Sequence, residues 1–457
     1  MNEAEPRKEN KMGVMPVNKL LVNMSLPLMA SMLMMSLYNI VDSIFVSRIS
    51  ESALTAVSLA FPAQQLITAL GVGTGVGLGS YLSRSLGEKK YTLVNKIAEN
   101  GIFLSWMFSL LFALLGIFAV RPFFATQTDN GVILEYGVQY LTPIFIGSFF
   151  VFSQITNQRI LLSTGRTLCT MIAQATGAVV NCLLDPIFIF GYFGVPRLEV
   201  RGAAIATIIG QIVGAALAFG MNKKLNSDVH LDFKGFKPDP QIIKGIFKVG
   251  APSILMQSVG SVMVFFFNMI LMMFTETAVA VFGIYFKLQS FIFMPVFGMN
   301  NGIVAIVAYN FGAQNKKRIT DTIKLGLKYS GIVMSLGLAL FMLAPKPLLL
   351  LFDASPQMLA IGVPALRIIS VHFVLAAMCV VLVSVFQAFG NGMYSLIVSL
   401  SRQIGVLLPV AWILSLFGNV NYVWWAFPIA EMASLVLCLA FTKKIYNNKI
   451  ATLGVIT

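Results

Sequence analysis

Long apolar stretches alternate with short polar loops along this chain. Twelve stretches can be bounded, at about residues 18–46, 52–82, 93–119, 134–155, 167–190, 202–222, 242–274, 278–308, 322–344, 357–386, 394–417 and 421–442. Most approach or exceed the ~20 residues that a helix needs to cross a hydrocarbon core. They lack the apolar–polar alternation of an outer-membrane strand. The pattern therefore predicts an all-α polytopic membrane protein of twelve transmembrane helices.

Composition agrees. Of 457 residues, 57% are hydrophobic and only 11% charged, against about 25% charged in a soluble domain; the mean hydropathy is +0.83. The net charge of +14 would suit a nucleic-acid partner, but its distribution argues against one. Alternate loops hold 24 Lys and Arg, including Arg7, Lys8, Lys96, Lys223, Lys224, Lys316, Arg318, Lys443 and Lys444, while the opposite loops hold five: Arg48, Arg121, Arg197, Arg201 and Lys346. Positive charge gathers on the cytoplasmic side, so both termini are predicted to be cytoplasmic. No cleavable signal peptide is expected, because the first ten residues are polar and charged and no apolar h-region with a cleavage site follows. Cys169, Cys182, Cys379 and Cys438 fall in or beside apolar stretches without metal-ligand spacing, and read as small buried hydrophobes.

The second half of the chain echoes the first at a shift of 225 residues. Pro27 matches Pro252, Ala53 matches Ala278, Gly87 matches Gly312, Pro122 matches Pro347, and Gly165 matches Gly390. Proline and glycine set bends, turns and close helix contacts, so backbone geometry is what repeats. A repeat unit of six helices keeps its orientation when duplicated, which predicts two pseudo-symmetric lobes related by an axis along the membrane normal. The expected organisation is an N-terminal six-helix lobe over 1–222, a cytoplasmic linker over 223–241 and a C-terminal six-helix lobe over 242–457.

Three carboxylic acids, Asp42, Asp185 and Glu431, interrupt the apolar stretches. Acids at membrane depth are costly and persist chiefly where they line a hydrated cavity, bind a cation or pass protons. Asp42 lies 23 residues beyond Lys19 and Asp185 lies 19 beyond Arg166. At 1.5 Å per residue these are about 35 and 29 Å of helix, which brings both acids to the outer half of the membrane. Tyr38 precedes Asp42, and Asn181 precedes Asp185, by four residues, one turn along the same face. Carboxylate, amide and phenol together suit a proton relay or a dehydrated sodium ion; the structural alternative for Asp185 is a cap on a helix broken at Pro186.

Tyr38, Asn157 and Lys287 are candidates for lining a substrate cavity, with snorkelling to an interface as the alternative for Lys287. Arg402 and Glu431 are expected to pair on neighbouring helices. Pro27, inside an apolar helix, permits a bend. The glycines at 71, 73, 75, 77 and 79 lie within a membrane stretch and signal close packing rather than a phosphate loop.

Four stretches, Tyr38-Asn-Ile-Val-Asp42-Ser-Ile-Phe-Val, Asn181-Cys-Leu-Leu-Asp185-Pro-Ile-Phe-Ile-Phe-Gly191, Arg201-Gly-Ala-Ala-Ile-Ala-Thr207 and Phe386-Gln-Ala-Phe-Gly-Asn-Gly392, resemble the multidrug and toxic compound extrusion (MATE) family over nearly the whole chain. The resemblance implies a secondary active exporter, not an enzyme, in a bacterial cytoplasmic membrane. Such a protein antiports organic, often cationic compounds against protons or sodium ions, with no cofactor, no nucleic acid and a monomeric state. It implies a coupling site of Asp42, Asp185, Asn181 and Thr207, and a hinge at Pro27. The other bacterial branch has a Glu in helix 7 and an Asp in helix 10; this chain offers Gln257 and no acid there, so coupling is expected in the N-terminal lobe alone. The alternative within the same superfamily is a flippase for lipid-linked precursors or oligosaccharides, for which cavity-lining arginines are lacking. A prenyltransferase would need paired acidic motifs to hold magnesium, and none occurs.

Overall fold

Among the described residues ten single helices are long and apolar enough to cross a membrane, and two bent pairs bring the number to twelve if each pair is one span. The protein is described by a computed structural model that covers residues 9–352 and 354–453, without the side chains of Asn39, Ser43 and Ser47. Arg7 and Lys8, and the Asn39 and Ser43 side chains of the first motif, thus lie outside the described residues.

The longer helices are α1 (Val17–Ser47), α2 (Glu51–Gly87), α3 (Tyr91–Phe118), α4 (Gly131–Ile146), α5 (Ser148–Ser163), α6 (Thr167–Phe190) and α7 (Glu199–Leu225). They continue with α8 (Pro240–Met272), α9 (Glu276–Gly312), α10 (Lys316–Leu343), α11 (Pro356–Ser370), α12 (Phe373–Ala388), α13 (Gly392–Ser415) and α14 (Val420–Ile450). The duplication is visible in these boundaries. α2 and α9, α3 and α10, and α6 and α13 begin and end 225 residues apart. So do the first residues of the bent pairs α4–α5 and α11–α12, each bent by 48°.

Local chemistry repeats with the boundaries. Ser50 caps α2 by accepting the Ala53 N–H at 3.1 Å, and Thr275 caps α9 by accepting the Ala278 N–H at 3.1 Å. Each cap is followed by a glutamate, Glu51 or Glu276, which favours the positive end of the helix dipole. The turns after α2 and α9 both hold a residue at φ 58°, Lys89 and Gln314, and those before α6 and α13 both hold a left-handed glycine, Gly165 and Gly390. What was duplicated was a set of caps and turns as much as a set of apolar runs.

Residue contacts divide the chain into two units, Ala30–Gly250 and the remainder. The cuts fall inside α1 and α8, just after Pro27 and just before Pro252, not in the loop over 223–241. In the Ala30–Gly250 unit the core is built from Ala53, Ala60, Ile67, Phe112, Phe145 and Phe152. Small residues bring its helices close: a β-carbon on Gly77 of α2 would collide with the Ile246 carbonyl oxygen and lie 2.7 Å from the Gly250 nitrogen. The glycine run of α2 is a packing surface, with Gly71 against Ile155 and Gly75 against Arg159 of α5. The other unit fills the equivalent space with rings, Phe267, Phe282, Tyr285, Phe341, Phe373, Trp424 and Phe427.

Between α7 and α8 the chain is docked rather than loose. Arg166 donates to Asn226 Oδ1 at 3.2 Å and to Ser227 Oγ at 2.9 Å, and pairs with Asp228 at 3.7 Å. The backbone N–H groups of His230, Asp232 and Asp239 then donate to Asn95 Oδ1, Glu99 Oε1 and Asn100 Oδ1 of α3 at 2.9, 3.1 and 2.9 Å. Residues 226–239 therefore form a strap along α3, with their otherwise unsatisfied backbone groups taken up by its side chains.

Candidate functional site

Two helices, α6 and α7, fix the centre of the site. Gly177 of α6 and Gly210 of α7 face each other, and Gly202 lies against the Phe188 carbonyl. Without side chains at these points the two backbones approach closely. That approach lets Asn181 Nδ2 donate to Thr207 Oγ1 at 3.2 Å. Asp185 lies one turn beyond Asn181 and is fully buried, and neither of its carboxylate oxygens has a hydrogen-bond partner. α6 runs unbroken through Pro186 to Phe190 and ends on left-handed Gly191, so Asp185 does not cap a broken helix.

α1 supplies the facing groups. Tyr38 lies near Thr207 and within electrostatic range of both Asp42 and Asp185. The two carboxylates also lie within electrostatic range of each other. Asp42 Oδ1, both oxygens of Asp185 and Asn181 Oδ1 are buried acceptors with no donor. Among the described residues neither aspartate makes an ion pair. A buried acceptor without a donor is costly, and two like charges in a low dielectric repel. A proton or a small hard cation bound among these oxygens relieves both penalties. The donors are all oxygens, the ligand type that alkali and alkaline-earth ions prefer over nitrogen or sulfur.

Asp42, Asp185, Asn181, Thr207 and Tyr38 are thus brought together. Two neighbours were not anticipated from sequence. Tyr140 of α4 is nearly buried, lies within electrostatic range of Asp42 and Asp185, and accepts from Gln64 Nε2 of α2 at 3.2 Å. Polar side chains at helical spacing within apolar stretches were the available signal.

Asn157 belongs to a different network. It donates to Ser153 O at 2.9 Å and receives two hydrogen bonds from Asn222 Nδ2, at 2.9 and 3.1 Å; Asn226 then donates to Asn222 at 3.0 Å. This ladder of amides ties α5 to α7 and leads to Arg166 and the strap. Lys287 of α9 is exposed, with its ammonium 5.9 Å from the Phe352 ring centre, a cation–π distance. Arg402 and Glu431 pair at 3.5 Å, with Glu431 Oε1 left without a donor. His372 is buried and stacks on Phe427.

Comparison with known proteins places this geometry in context. The MatE family profile matches twice, over residues 27–187 and 252–413, which is the duplication read from prolines and caps. A multidrug export protein, MepA, of Staphylococcus haemolyticus is 28% identical over 432 residues, 94% of each chain. An outward-facing multidrug resistance MATE family transporter of the MOP superfamily superposes with a TM-score of 0.91 at 26% identity, over 98% of this chain and 99% of that one. A MOP superfamily transporter from Pyrococcus furiosus, whose binding pocket is described as having a reversed polarity that suggests a different function, superposes with a TM-score of 0.90 at 26% identity and the same coverage.

Proposed function

This chain belongs to the MatE family, and from that premise we propose that it is a secondary active multidrug exporter. It antiports organic, often cationic compounds against protons or sodium ions by alternating access. Its place is the bacterial cytoplasmic membrane, with both termini cytoplasmic, and it works as a monomer. The names of its similar proteins support export of drugs, and the distribution of basic loops supports the orientation.

The observation that carries the coupling reading is a pair of carboxylates, Asp42 and Asp185, grouped with Asn181 and Thr207 and making no ion pair among the described residues. Such a site is electrostatically incomplete until a cation enters. Entry of a proton or sodium ion neutralises charge on the facing walls of α1 and α6 and changes the balance of forces on α1. Pro27 cannot donate a backbone hydrogen bond, so α1 is least resistant to bending near that residue. The bending of α1 would link ion occupancy to release of the compound. A flippase of the same superfamily is not favoured, because the described site is lined by acids and amides rather than by cations suited to a diphosphate.

The test is transport by proteoliposomes with a sodium gradient and a pH gradient imposed separately. Export driven by either gradient supports the reading and identifies the ion. Export indifferent to both would defeat it.

A further inference from the structure

A cavity of about 430 Å³ lies between the strap and α3, away from the carboxylate site. Its walls carry three lysines, Lys96, Lys234 and Lys237, and three acids, Glu99, Asp232 and Asp239. Among the described residues the three ammonium groups make no hydrogen bond or close ion pair. Each acid, in contrast, uses a carboxylate oxygen to hold the backbone: Glu99 accepts from Asp232 N–H, Asp232 from Lys234 N–H, and Asp239 from Gln241 N–H at 2.8 Å. The acids are thereby fixed in place while keeping lone pairs for a further donor.

The cavity's position along α3 is informative. Glu99, Phe103, Trp106 and Leu110 follow one another at helical spacing and share a face. Phe236 packs on Phe103 at 5.8 Å and Phe233 on Trp106 at 5.3 Å. Beyond Trp106 the stripe continues through Leu110, Leu114 and Ile117, all exposed, as a lipid-facing surface is. Tryptophan beside a long exposed apolar stripe marks the level of the headgroups. The charged cavity sits two turns before it, about 10 Å along the axis.

We propose that this cavity binds a phospholipid headgroup bearing both a phosphate and a primary ammonium, with its acyl chains lying along the exposed stripe of α3. The lysines take the phosphate and the fixed carboxylates take the ammonium. Equal numbers of the two signs favour a zwitterion over a singly anionic headgroup, and the carboxylate acceptors favour an ammonium with N–H donors over a quaternary one. The proposal requires the chain to span a membrane but not that it exports drugs, and its readout is binding rather than transport.

The experiment uses purified full-length protein in mild detergent. Equimolar phosphatidylethanolamine, phosphatidylcholine and phosphatidylglycerol of matched chains are added, and retained lipid is counted by native mass spectrometry. Phosphatidylethanolamine should be retained at least threefold over the others. Lys96→Gln/Lys234→Gln/Lys237→Gln should abolish that preference. Glu99→Gln keeps an oxygen for the Asp232 N–H and should at least halve the ethanolamine-to-choline ratio, whereas Lys223→Gln/Lys224→Gln, outside the cavity, should leave it unchanged. Equal retention of the three lipids, preference for phosphatidylglycerol, or an unchanged preference in the triple variant would overturn the proposal. So would displacement of the lipid by millimolar O-phosphoethanolamine, which would indicate a site for a soluble phosphate ester.

Discussion

Gly177 of α6 and Gly210 of α7 meet backbone to backbone. A β-carbon on Gly177 would lie 2.8 Å from the Gly210 carbonyl oxygen, and one on Gly210 would lie 2.6 Å from that of Gly177 and 3.0 Å from the Asn181 β-carbon. The absence of two methyl groups sets the distance across which Asn181 reaches Thr207. Gly210→Ala should therefore destabilise the protein by about 1–3 kcal/mol, the usual cost of overpacking, and should slow export as well. Gly220→Ala on the same helix meets nothing within 4 Å and should be neutral or slightly stabilising. Thermal unfolding in detergent alongside vesicle transport checks both.

The amide of Asn181 supplies the donor that orients Thr207 and leaves its own oxygen toward the site. Asn181→Leu keeps the bulk and removes both functions. Export should fall about tenfold, the factor that corresponds to ~1.4 kcal/mol for a buried polar group left unpaired. Thr207→Ser retains the hydroxyl and should keep most of the activity. Initial rates of drug efflux at equal expression provide the comparison.

Arg402 and Glu431 make a different forecast, since they compensate each other. Glu431 is buried, so Arg402→Met leaves an uncompensated carboxylate and should cost about 3–5 kcal/mol, while removing both charges with Arg402→Met/Glu431→Leu should be close to neutral. A double-mutant cycle on unfolding temperature measures the coupling. Export in the double variant should persist, because this pair lies outside the set of residues grouped around Asp185.

The strap over 226–239 hangs on Arg166 at its start. Arg166→Ala should free that end and raise the rate of tryptic cleavage after Lys234 several-fold, with little effect on overall unfolding. Limited proteolysis followed by mass analysis locates the cut.

The helices were legible in the sequence because lipid imposes a length and an apolar composition that few other environments demand. The duplication was legible because prolines, glycines and caps are backbone instructions, and Pro27 and Pro252 carry the same one. The bends were not. The fourth and tenth stretches read as single runs over 134–155 and 357–386, whereas each is a pair bent by 48°, broken at Gly147, one turn after Pro143, in one and at Val371-His372, seven residues after Pro364, in the other.

At the site, the acids stood out because a carboxylate in an apolar run has few structural excuses. Tyr140 and Gln64 were not legible because tyrosine and glutamine are ordinary in membrane helices, and only the fold sets Tyr140 near Asp42 and Asp185 and Gln64 against Tyr140. Asn157 is the converse: a polar residue in an apolar run reads as a cavity wall until Asn222, 65 residues away, is found to occupy its hydrogen-bonding groups. Sequence reveals which side chains need partners; packing decides who the partners are.

The most direct test removes one charge from the pair. Drug efflux driven by an imposed cation gradient is measured in everted vesicles carrying Asp185→Asn, with thermal unfolding as a check on folding. The isosteric change should abolish gradient-driven efflux while the protein remains folded and inserted. Efflux at the wild-type rate would contradict the account, because Asp42 and Asp185 would then not form the site through which the cation acts.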